Sequence, residues 1–64
     1  MTLTRATELL AVQIDMGGGY NRNSAKMILA DVTKEHGQAA VDQLIRALKL
    51  DEIFDFKVGM KFRF

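Results

Sequence analysis

Apolar residues recur along this chain with two different periods. In "TRATELLAVQIDM", Ala6, Leu10 and Ile14 form one stripe with Leu9 beside it, the spacing of an amphipathic helix. Thr2 and Thr4 are candidate N-caps, and Glu8 lies near the positive end of the helix, three residues from Arg5. Gly17, Gly18 and Gly19 then stop it, because glycine readily takes the left-handed conformation that ends helices. A second stripe, Ala25, Ile28, Leu29 and Val32, follows Asn21, Asn23 and Ser24, of which Asn23 is the preferred cap. It runs to Gly37. The third, "QAAVDQLIRALKL", carries Val41, Leu44, Ile45 and Leu48, with Arg46 and Lys49 suited to its negative end. These patterns predict helices over about 4–16, 24–36 and 38–49, with Asp51 capping a short extra turn.

At "FDFKVGMKFRF" the period drops to two. Phe54, Phe56, Val58, Met60, Phe62 and Phe64 alternate with Asp55, Lys57, Gly59, Lys61 and Arg63, which predicts a β-strand over about 54–64 with one apolar face. The expected fold class is α+β, predominantly helical: three short helices and one terminal strand. A lone strand leaves its backbone unpaired, and burial of six large apolar side chains is worth roughly 9 to 18 kcal/mol. A partner is therefore expected. A hairpin turning at Val58 and Gly59, or pairing with the amino-terminal "MTLTR", would provide one. The favoured arrangement is antiparallel pairing with a second copy about Gly59, setting Phe54 against Phe64, Phe56 against Phe62 and Val58 against Met60. Asp55 then opposes Arg63 favourably, while Lys57 opposes Lys61.

Size strengthens the case for association. A chain of 64 residues is one small domain that buries only about 60% of the surface its unfolded form exposes. It has no cysteine, so disulfides and cysteine-bound zinc are excluded, and one histidine makes a structural zinc site a poor expectation. A formal net charge of +1 creates no global field for nucleic acid or acidic membranes. No apolar run approaches the ~20 residues of a membrane span, and the start lacks a basic-then-apolar leader, so a cytoplasmic location is expected.

Candidate chemistry is sparse. His36 and Ser24, the only histidine and only serine, lie on one predicted helix, roughly 18 Å apart at 1.5 Å per residue. They cannot form a nucleophile–base pair there. His36 is expected to meet the last carbonyls of its helix, and Asp31 with Glu35 to form a solvated face, as do Asp51, Glu52 and Asp55. "GGGYNRNSAK" resembles an anion cradle only in its glycines and in Arg22 and Lys26; the nucleotide-binding spacing is missing, so a plain connection is preferred. Tyr20 is expected to cover the edge of the core rather than to stack on a ligand.

The sequence thus predicts a non-enzymatic interaction or regulatory module with no catalytic residue, cofactor or metal. It is expected to be a homodimer through Phe54, Phe56, Val58, Met60, Phe62 and Phe64, or to add its strand to another protein. The alternative is a small nucleic-acid-binding regulator using Arg22, Lys26, Lys57, Lys61 and Arg63. The third helix is a weak recognition surface, since Asp42 would repel phosphate.

Overall fold

A computed structural model describes residues 1–16 and 20–63, with Tyr20 described by its backbone alone. The described residues form four helices, α1 (Leu3–Met16), α2 (Tyr20–His36), α3 (Gln38–Leu48) and α4 (Leu50–Ile53). Thr2 caps α1: its Oγ1 accepts the Arg5 N–H at 3.0 Å, and Arg5 reaches Glu8 at 3.8 Å as the spacing predicts. α2 begins a turn earlier than expected, so Asn23 lies inside the helix and is not its cap. The reason lies far along the chain, where the carbonyl of Phe54 and the ring of Phe56 both hold Arg22 in that first turn.

The passage from α2 to α3 takes one residue. Gly37 sits at φ 88°, ψ 174°, a conformation essentially reserved for glycine, and its N–H donates to the Thr33 carbonyl at 3.0 Å. Lys49, at φ 56°, ends α3 in a left-handed turn and directs the chain into α4. The expected extra turn is therefore present, but Lys49 stands at its N-cap and Asp51, the expected cap, lies inside it.

α1 packs on α2 and α3, α2 on α3, and α4 on α3. The predicted stripes meet in one core: Ala6 and Leu10 of α1, Ala25, Leu29 and Val32 of α2, and Val41, Leu44 and Ile45 of α3 are buried. Ile14, Ile28 and Leu48 pack against its margin. Leu50 of α4 is also inside.

The strand expected over 54–64 is not found among the described residues; the segment is irregular and folds back on its own helices. Asp55 at φ 61° and Gly59 at φ 90° break any extended run, and Met60 N–H donates to the Lys57 carbonyl at 3.0 Å to close a turn. The chain thus reverses at Val58 and Gly59, where a hairpin turn was one alternative, with no ladder on either arm among the described residues. Alternation still sorts the side chains. Phe54, Phe56 and Phe62 are buried and Met60 is half-buried, while Val58 at the turn is 45% exposed. Phe56 stacks edge-on to Phe62 at 5.1 Å and lies tilted against Phe54 at 5.5 Å. Phe64 lies outside the described residues.

The backbone groups that a sheet would have paired find partners one at a time. Phe54 and Phe56 donate to the Leu50 carbonyl at 2.9 and 3.2 Å. Arg22 Nε donates to the Phe54 carbonyl at 2.9 Å, Gln38 Nε2 to the Met60 carbonyl at 2.9 Å, and the Gly59 N–H to Asp42 Oδ1 at 2.8 Å. Side chains of α2 and α3 thereby do the work of a neighbouring strand. The Cα radius of gyration is 10.2 Å, against about 10.7 Å for a compact domain of this length, so the single chain already closes on itself.

This packing makes a sharp contrast testable by urea denaturation. Phe56→Ala should cost about 3–5 kcal/mol, most of the stability of so small a domain, whereas Val58→Ser should stay within about 0.5 kcal/mol. Gly59→Ala meets no atom within 4 Å, so its expected cost of about 1–2 kcal/mol comes from the positive φ alone.

Candidate cationic cleft

Arg22 and Lys26 stand one turn apart on α2, yet the fold gives them different tasks. Arg22 turns inward: besides its bond to Phe54, its guanidinium lies 5.1 Å from the centre of the Phe56 ring, a cation–π contact. Lys26 lines a cleft of about 340 Å³ together with Met60, Lys61, Phe62 and Arg63. Its lining combines two apolar side chains, Met60 and Phe62, with three cationic ones. Lys61 and Arg63 flank the inward-turned Phe62 and are themselves exposed. None of these three cations lies within salt-bridge distance of a carboxylate among the described residues. Like Arg22, Lys57 stays outside the cleft; it pairs with Asp55 at 3.6 Å on the surface.

The wall that carries Met60 to Arg63 is fastened to α3. Gln38 Nε2 donates both to Asp42 Oδ1 and to the Met60 carbonyl, each at 2.9 Å. The same Asp42 oxygen takes the Gly59 N–H. These two hydrogen bonds, that of Gln38 first, hold the Asp42 carboxyl below its usual range, and the charges of Arg46 and Lys61 add to the effect against partial desolvation. Asp42, read from the sequence as a residue that would repel phosphate, is thus a fastening for the turn. Gln38 Oε1 is buried with no hydrogen-bond partner among the described residues.

A second polar cluster lies around the C-terminal part of α2. The Met1 ammonium donates to Glu35 Oε1 and to Asp31 Oδ2, the latter at 3.4 Å, and His36 Nε2 contacts the Met1 carbonyl at 2.8 Å. Asp31 and Glu35 are therefore more than the solvated face expected of them, and His36 meets the carbonyl of Met1 instead of the end of its own helix. The hydrogen bond it donates to Glu35, followed by the charge of Glu35 and by Asp31, raises the ammonium pKa above 8.0 despite some desolvation. Ser24 and His36 remain twelve residues apart on one intact helix. Among the described residues no three His, Cys, Asp or Glu side chains gather as metal ligands, and no helix is long and apolar enough to cross a membrane. Gly17, Gly18 and Gly19, the glycines of the anion cradle considered above, lie outside the described residues.

The interface residues proposed from the alternation are divided by the fold: Phe54, Phe56 and Phe62 line the chain's own core, Met60 borders the cleft, and Val58 faces outward.

Two pH limbs follow. The raised ammonium pKa stabilises the native state in full below pH 8, and this contribution is lost as pH rises through the raised value. The depressed Asp42 pKa stabilises it above the ordinary value of 3.8, and that contribution disappears as pH falls through the lowered one. Thermal melts across pH should show both limbs; Asp42→Asn should flatten the acid limb and Glu35→Gln the alkaline one. Arg22→Lys, which loses the planar contact and the Nε bond, should cost about 1–2 kcal/mol in urea.

No family model matches this chain, and neither a curated protein nor a solved structure matches it at a significant level.

Proposed function

We propose that this protein is a small non-enzymatic interaction module that binds an anionic partner through the cleft bounded by Lys26, Lys61 and Arg63. The observation that carries this reading is the convergence of cations from two separate parts of the chain, α2 and the segment after α4, on one concave surface. Like charges that gather with no carboxylate at salt-bridge distance among the described residues repel one another, and an anion relieves that repulsion. The Gln38 and Asp42 fastening holds one wall in place before any ligand arrives, which reduces the ordering cost of binding.

The sequence also led to a homodimer through the terminal segment. Because Phe54, Phe56 and Phe62 are buried within their own chain, a dimer built on them takes the form of an exchange, each copy lending the segment to the other. The backbone supports this second reading at Asp55, whose left-handed φ of 61° would serve as a hinge that exchanges Phe56 and Phe62 while Phe54 stays with its own copy.

The anion-binding reading is tested with inorganic polyphosphate, followed by amide NMR. Shifts should concentrate at Lys26 and residues 60–63, and the Lys26→Gln, Lys61→Gln, Arg63→Gln variant should keep its melting temperature while losing them. Shifts that survive this variant would refute the cleft. Solution mass over a range of concentrations decides the exchange: a constant monomer mass removes it.

A further inference from the structure

Resting on the anion-binding reading, we infer that the partner in the cleft is the phosphodiester backbone of a nucleic acid, held without reading its bases. Three features of the cleft select this ligand class.

The first is the spacing of the charges. Lys61 and Arg63 are two residues apart, so their Cα atoms are at most about 7 Å from each other. Lys26 of α2 lines the same cleft. A ligand must therefore present several anionic groups at short, regular intervals, as a phosphate chain does. Arg63 adds a planar fork that matches the paired oxygens of a phosphate, and the two lysines act as point charges.

The second is the small number of cations. Exposed pairs with isolated carboxylates contribute little, so three of them would hold an acidic protein only feebly. A nucleic acid carries a condensed ion atmosphere, and the release of those ions makes the same three contacts count. The weak overall charge of +1 is compatible with this because the contact is local.

The third concerns the bases. Phe54, Phe56 and Phe62 are buried, so the described phenylalanines offer no ring on which a base could stack. The apolar lining residues, Met60 and Phe62, present no side-chain hydrogen-bonding group for a base edge to pair with. Asp42 lies near enough to Lys61 to feel its charge, but its Oδ1 is already occupied by Gln38 and Gly59. Such a surface recognises the backbone and tolerates any sequence.

The experiment is fluorescence anisotropy with a labelled random-sequence single strand, the same sequence as duplex DNA and as RNA, and poly-L-glutamate as the competing class of polyanion, each over a salt series. Three phosphate contacts predict a log–log salt slope of about −2.1 for single strands and about −2.7 for duplex, or roughly 20- to 40-fold weaker binding over a fourfold rise in salt. The arms decide which strand form is preferred. Lys61→Gln and Arg63→Gln should each make the slope shallower by about 0.7–0.9, and Lys57→Gln, outside the cleft, should leave it unchanged. Circular dichroism confirms that the variants remain folded. Binding of polyglutamate without nucleic acid would overturn this inference and leave the anion-binding reading standing; binding of neither would overturn both. An equal change of slope for Lys57→Gln would also overturn it, because the contact would then be diffuse charge and not the cleft.

Discussion

Everything else in this structure depends on how the shared apolar face of three short helices is closed. α1, α2 and α3 together bury residues such as Leu10, Leu29, Val41 and Ile45, but their contacts leave an opening that Phe54, Phe56 and Phe62 fill. Phe56 is at the centre of this closure, touching a ring on either side and lying beneath the guanidinium of Arg22. In a domain that buries only about 60% of its surface, such aromatic side chains carry a large share of the hydrophobic stabilisation. No disulfide assists them, since the chain has no cysteine.

Closing the core with an irregular segment creates a second problem, that of its backbone polar groups. A sheet would satisfy them collectively. Here Arg22, Gln38 and Asp42 satisfy them individually, each reaching from a helix to one carbonyl or N–H. The same bonds determine where the segment's outward side chains go. With Phe62 inside and Met60 fastened through its carbonyl, Lys61 and Arg63 come to line the same cleft as Lys26. Core and cleft are thus two faces of one arrangement, and the polar bonds that complete the first also shape the second.

Much of this was legible in the sequence, and the failures have physical causes. A period near 3.6 located all three long helices, because one face of each is buried. A period of two at 54–64 picked out Phe54, Phe56 and Phe62, which do turn inward, but it put the exposed Val58 on the same face and carries no information about whether a neighbouring strand exists. The left-handed backbone of Asp55 and the bonds from Arg22, Gln38 and Asp42 decided that, and each arises from a contact between residues distant in sequence. The list of basic residues was likewise legible while their geometry was not. Arg22 differs from Lys26 only in facing a carbonyl 32 residues away. Asp31 and Glu35 looked like a solvated face because their partner, the Met1 ammonium, lies 30 and 34 residues away from them.

The order of elements has a consequence for synthesis. The rings that seal the core come after all three long helices in the chain, and the contact from Arg22 spans 32 residues. As the polypeptide emerges from its amino-terminal end, α1, α2 and α3 become available first, with their apolar stripes still uncovered at the place Phe56 will occupy. Completion of the fold waits for the final stretch of described residues to leave the ribosome. During that interval the apolar stripes of the helices lack the rings that cover them in the completed fold.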